Sequence, residues 1–116
     1  MIHTSFPLLT IRGRELLPVI QGGMGVGISG HRLAGAVARE GAVGTIASVD
    51  LRRLYPDIMQ RLRKCNDPKV HSAANIEALD REIRAAHEIA PDGFVAVNVM
   101  RALSNYAELV VQACKS

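Results

Sequence analysis

Short apolar runs alternate along this chain with segments of helical period. LLTIRGRELLPVIQ reads as two short extended pieces around the turn Arg12-Gly13-Arg14, the second ending in a buried strand over residues 19–21. A glycine-rich loop follows, and Ser29 stands where an N-cap is needed for a helix through HRLAGAVARE. In that helix Leu33 and Val37 lie beside Ala34 and Ala38 on one small-residue face, and Gly41 sits where a helix end calls for a positive φ. AVGTIAS predicts a second buried strand, Val43–Ala47, closed by the polar Ser48.

The stretch 50–72 reads as an insertion. Pro56 and Pro68 exclude one long helix there, leaving room for a short one around residues 58–63. From Asn75 the pattern sharpens: Ile76, Leu79, Ile83, Ala86 and Ala90 recur at three- and four-residue steps, while Glu77 with Arg81 and Asp80 with Arg84 form i,i+4 pairs on the wet side. Pro91-Asp92-Gly93 stops this helix. FVAVNVM then predicts a strand over residues 94–100, apolar but for Asn98, and Asn105 with Glu108 resembles a capping box opening a last helix, YAELVVQACK.

Strand, helix, strand, helix, strand, helix implies an α/β architecture with a parallel sheet. Two arrangements satisfy it. In an open doubly wound sheet, the glycine spacing of GVGISG would cradle a pyrophosphate at the helix N-terminus, and Asp50, twenty positions after Gly30, would take the ribose. In a (β/α)8 barrel, the glycine loop, Ser48 and Asn98 would instead gather at the C-terminal mouth. Asn98 favours the barrel, because a polar residue in so apolar a strand needs a partner and a ligand at the mouth is a natural one. A hydrogen bond to a neighbouring loop would satisfy it equally. The glycine loop can likewise be a strand-to-helix turn that uses glycine for backbone conformation alone.

Composition narrows the field without choosing between these. With 48% hydrophobic and 22% charged residues the chain is an ordinary globular one, and its net charge of +3 equals the excess of six basic over three acidic residues in the stretch 50–70. Tyr55 is the one aromatic there, so a solvated connection is a better reading than a nucleic-acid surface. Cys65 and Cys114 lack the spacing of a zinc site or disulfide framework, which fits a reducing, cytoplasmic setting with no metal. No leader or membrane span is read.

The run PVIQGGMGVGISGHRLAGAVAREGAVGTIASVDLR, with FVAVNVM and the helix that opens at Asn105-Tyr106, closely resembles the N-terminal part of bacterial nitronate monooxygenases, also called 2-nitropropane dioxygenases. FMN-dependent enoyl-acyl-carrier-protein reductases share a similar first strand. The resemblance implies a TIM-type barrel that binds FMN and oxidises alkyl nitronates with O2. It implies that Gly22, Gly23 and Met24 run beside the flavin and that Asn98 hydrogen-bonds it, so GVGISG would shape the path into the first helix and would not bind a pyrophosphate. A complete barrel needs roughly 250 residues, so these 116 would supply the first three or so βα units. The family's catalytic histidine and phosphate loops would lie in later strands: no catalytic residue is assigned, and His3, His31, His71 and His87 read as surface or helix residues. The expectation is a chain inactive alone that self-associates through exposed barrel edges. A small dinucleotide-binding domain and a non-catalytic α/β interaction module are the remaining alternatives.

Overall fold

The computed structural model describes residues 2–116. Strands β1 (Leu9–Ile11) and β2 (Arg14–Leu16) form an antiparallel hairpin whose two turn residues, Arg12 and Gly13, both take positive φ. Two left-handed residues match the twist of the flanking strands. The chain then continues through helix α1 (His31–Arg39), strand β3 (Val43–Ala47), a 3-10 turn (Leu51–Leu54), helices α2 (Pro56–Arg61) and α3 (Pro68–Ile89), strand β4 (Phe94–Asn98) and helix α4 (Tyr106–Lys115). This is a mixed α/β fold with a small parallel pair: β3 and β4 run in register from Val43 opposite Phe94 to Ala47 opposite Asn98.

The segment 19–21 corrects the sequence reading. It is a single parallel bridge, Ile20 to Val43, and not a buried strand, with Val19 and Ile20 56% and 61% exposed. Pro18 has no N–H to donate, and beyond Gln21 the backbone leaves the ladder. The Gln21 side chain continues the pairing in the backbone's place: its Oε1 accepts from the Thr45 N–H at 2.9 Å and its Nε2 donates to the Thr45 carbonyl at 3.2 Å.

Alternation fixes the two faces of β3. Ile46 enters the core with Leu51, Ile58, Leu79, Ile83 and Leu109, and Gly44 lies so close to α1 that an added Cβ would collide with the Ala34 carbonyl. Val43, Thr45 and Ala47 therefore face the other way. The small-residue face predicted for α1 is realised in buried Ala34, Gly35 and Ala38, with Gly35 against Ile89 of α3. Gly41 takes its expected positive φ of 89°.

Helix ends account for the other differences. Both prolines do exclude one long helix, but each stands in the first turn of its own. The long helix starts at Pro68, seven residues before Asn75, because the Asp67 side chain accepts from the Lys69 N–H at 2.9 Å and caps it. Ser29 does not cap α1; Gly30 is the cap residue, and the Ser29 hydroxyl is engaged within the loop. Asn105 makes no side-chain cap, and the turn before α4 pairs the Tyr106 N–H with the Leu103 carbonyl. The last strand ends at Asn98 because Met100 begins that turn. Among the described residues, no helix is long and apolar enough to cross a membrane.

The charged pairs on α3 form as expected: Arg81 meets Glu77 at 2.6 Å and Arg84 meets Asp80 at 2.8 Å. Arg81 also clamps Asp57 of α2 at 2.8 Å, and Arg61 of α2 meets Glu77 at 2.6 Å. The Arg81 hydrogen bonds hold the Asp57 carboxyl below its ordinary value, and Arg61 and Arg81 do the same for Glu77. A depressed carboxylate contributes stability that is present above its unfolded pKa, about 4, and lost as pH falls through the folded value. Stability should therefore decline on acidification below about pH 4, and Arg81→Met should flatten that decline in denaturant titrations across pH 3–7. Packing gives a sharper expectation. Gly44→Ala should cost about 3 kcal/mol or more and lower Tm on the order of 10 °C in thermal unfolding, whereas Gly22→Ala, whose Cβ would meet nothing within 4 Å, should leave Tm nearly unchanged.

Candidate functional site

A parallel ladder brings the ends of the bridge segment, β3 and β4 to one edge of the molecule. The glycine loop, Ser48 and Asn98 all emerge there. Gly22, Gly23, Met24 and Asn98 are each exposed. Gly23 and Asn98 are brought into contact: a Cβ on Gly23 would lie 2.7 Å from Asn98 Cβ and 3.2 Å from its Cγ. Gly22 borders open space, since an added Cβ there would meet nothing within 4 Å. The Met24 backbone is held by Ser29, whose hydroxyl accepts from the Met24 N–H at 2.8 Å and donates to its carbonyl at 3.2 Å.

Asn98 is fixed by its backbone and free at its side chain. Its carbonyl accepts from the Ser48 N–H at 3.1 Å and from the Ser48 hydroxyl at 2.9 Å, with Ser48 fully buried. Among the described residues its carboxamide makes no hydrogen bond. The neutral alternative for Asn98, a side chain satisfied by a loop, is thus not realised. One further polar group nearby lacks a partner: the Thr45 hydroxyl oxygen, buried on the β3 face away from the helices. A free amide beside the side-chain-free backbone of Gly22 and Gly23 offers a donor and an acceptor at an exposed edge that a flat polar group could approach. No cluster of three potential metal ligands occurs among the described residues.

The three glycines of the GxGxxG spacing have different neighbours. Gly25 lies against Val49, Gly27 has a φ of 75° with Leu54 Cδ2 2.5 Å from where its Cβ would be, and a Cβ on Gly30 would stand 2.9 Å from Glu82 Oε2. Each is approached by a side chain of this chain, and Gly27 needs glycine for its positive φ as well. The helix N-terminus that a pyrophosphate would occupy already holds an anion: Glu82 Oε2 accepts the His31 N–H at 2.6 Å. A second negative group placed there would meet a carboxylate only 1% exposed. Asp50 is spoken for as well. Burial pulls its carboxyl upward, but Arg52 and Arg53 outweigh that and hold it below its ordinary value.

Glu82 is the residue that sequence reading missed. Its Oε1 accepts the Tyr55 hydroxyl at 2.7 Å, and its carboxylate approaches His31 Nδ1 at 3.0 Å. Burial and then the Glu82 hydrogen bond push the Tyr55 phenol above its usual range. The signal was present, for Glu82 falls in the apolar stripe of Leu79, Ile83 and Ala86, where a carboxylate calls for partners. His31 opens α1, His71 and His87 lie in α3, and His3 is exposed; His71 shares a cleft with Ser48 at the end of β3.

The family model described as nitronate monooxygenase matches residues 11–112. The chain belongs to the nitronate monooxygenase family. No curated protein matches it. As a member of this oxidoreductase family, the chain carries the quoted glycine and FVAVNVM blocks inside the matched region, and they meet along the β3–β4 ladder and at Gly23 with Asn98.

That contact generates an expectation. Gly23→Ala should destabilise by about 1–3 kcal/mol as Asn98 is displaced. Because the nearest opposing atom is Asn98 Cβ, adding Asn98→Gly should relieve that cost, giving a coupling energy of about 0.5 kcal/mol or more in a double-mutant cycle read by chemical denaturation.

Proposed function

We propose that this chain forms the first βα units of a TIM-type barrel and supplies one wall of an FMN site in a nitronate monooxygenase. The observation that carries the reading is the contact of Gly23 with Asn98 at the shared C-terminal edge of parallel strands, beside a free carboxamide. When bound, FMN supplies the electron acceptor through which an alkyl nitronate is oxidised by O2 to a carbonyl compound and nitrite. The residues here orient and bind. Gly22 and Gly23 let the backbone approach a ring face, Met24 lends an exposed apolar side chain, and the Asn98 carboxamide offers a donor and an acceptor to the ring's polar edge.

Proton transfer and phosphate binding are not provided by these residues. Gly22, Gly23, Met24 and Asn98 carry no group that titrates near neutrality, and the α1 N-terminus is filled by Glu82. Residues 1–116 by themselves should therefore bind FMN weakly and not turn nitronate over. The exposed Val19 and Ile20 on the bridge segment, with the outer edge of β4, support association through strand edges with further βα units or with a second copy. Two unpaired cysteines accord with a reducing, cytoplasmic setting.

Titrating FMN with the purified chain and following flavin fluorescence tests the reading. Saturable quenching is expected, weakened roughly three- to tenfold by Asn98→Ala, with no response to NAD and no nitrite from alkyl nitronates. NAD binding that Asp50→Ala abolishes, or bound flavin reduced by a nicotinamide and not by a nitronate, would overturn it.

A further inference from the structure

A carboxylate buried to 1% exposure at the junction of three elements is the least expected group in the molecule. Glu82 projects from α3 into the start of α1, where Oε2 accepts the His31 N–H at 2.6 Å and lies 2.9 Å from where a Gly30 Cβ would stand. Its Oε1 accepts the Tyr55 hydroxyl at 2.7 Å, and the His31 ring nitrogen Nδ1 lies 3.1 and 3.0 Å from the two oxygens. Every contact is made by a residue adjoining the glycine loop or by the segment that packs on it: Gly30 ends the loop, and Leu54, next to Tyr55, packs on Gly27.

From this point the backbone runs directly to the candidate site. The Ser29 carbonyl accepts from the Ala47 N–H at 3.2 Å at the end of β3, and the Ser29 N–H and hydroxyl hold Met24. Met24 is joined to Gly23, which touches Asn98. Moving the α1 N-terminus would move Ser29 and, through it, the wall formed by residues 22–24.

We propose that Glu82 is a positioning residue whose carboxylate, gripped by Tyr55 and His31, caps α1 from another helix and fixes the glycine loop against Asn98. A negative group at a helix N-terminus is favoured by the free N–H groups and the dipole, which is why it is tolerated without solvent. Gly30 is the residue that admits it, since any Cβ there would press on Oε2. Tyr55 contributes beyond its hydroxyl: Arg81 lies over its ring at 4.9 Å, tying the clasp to the charged seam between α2 and α3. A cleft of about 400 Å3 lined by Ile28, Leu33, Leu54 and Tyr55 opens beside it, so the loop has room to move if the clasp is lost. The proposal deepens the flavin-wall reading and depends on it only for the consequence at FMN.

Amide hydrogen exchange on the whole chain tests it, comparing Glu82→Gln, Glu82→Asp and Tyr55→Phe with the parent. The glutamine keeps shape but loses the charge, and the aspartate keeps the charge but falls short of its partners. Glu82→Gln should accelerate exchange at Met24, Ser29, His31 and Ala47 by roughly tenfold or more, while Ile46 and Val97 amides stay within about twofold. Glu82→Asp should not rescue the loop, and Tyr55→Phe should give a smaller rise confined to the same amides. A uniform rise through β3 and β4 would mean ordinary core destabilisation and would overturn the proposal, as would an unaltered loop in both Glu82→Gln and Tyr55→Phe. Should Glu82→Gln not fold, Tyr55→Phe decides by the same contrast. FMN added to each protein separates the two readings. A parent that does not bind FMN removes the flavin wall but leaves the exchange result standing, whereas a parent that binds, with Glu82→Gln weaker, supports both.

Discussion

A parallel ladder can only be built if the chain returns to the same edge before each new strand, and that constraint organises this fold. Joining Ala47 to Phe94 requires a crossover, here supplied by the 3-10 turn, α2 and the 22-residue α3. Because each return covers one sheet face with helix, that face must accept helix backbone closely, and Gly44 against the Ala34 carbonyl is where it does so. The opposite consequence appears at the strand ends. All of them open at one edge, so loops of distant sequence position, around residues 22 and 98, meet without any interaction drawing them together beforehand.

The core that holds this geometry is built from aliphatic residues and alanine. Ile46, Leu79 and Ile83 fill the space between sheet and α3, while alanine and glycine let α1 lie close. Such packing leaves little room for adjustment, since small residues in contact through backbone cannot repack as long side chains can. Rigidity of this kind suits a scaffold that must hold a loop steady. The loop itself is short of apolar anchors and is held by polar contacts at Ser29 and by the buried Glu82 carboxylate.

Much of this was legible in the sequence. The hairpin turn, β3, the body of α3, the stop at Pro91-Asp92-Gly93 and the i,i+4 pairs follow from local pattern, and local pattern depends on residues within a turn or two. What escaped depends on residues far apart. The α1 cap comes from Glu82, fifty-one positions beyond the amide it accepts, and Gln21 replaces a strand residue by pairing its side chain with Thr45. Helix starts at Pro56 and Pro68 were read as interruptions because proline excludes a helix interior and favours its first turn with equal force. At the site, the meeting of Gly23 with Asn98 was not legible, since exposed loop positions leave no burial pattern to read.

The glycines of residues 22–30 show why spacing alone is a poor guide to a ligand. A glycine is needed wherever something approaches the backbone closely, and the sequence does not say whether that something is a phosphate or the protein itself. Gly25, Gly27 and Gly30 satisfy the nucleotide spacing, yet Val49, Leu54 and Glu82 account for all three. The carboxylate at Gly30 decides the matter electrostatically as well as sterically, because a helix N-terminus that already holds one buried anion has little attraction left for another. The glycines outside the motif remain. An added Cβ at Gly22 would meet nothing within 4 Å and one at Gly23 would meet first the side chain of Asn98, so the glycines left at the exposed strand edge lie before the apparent nucleotide loop and not within it.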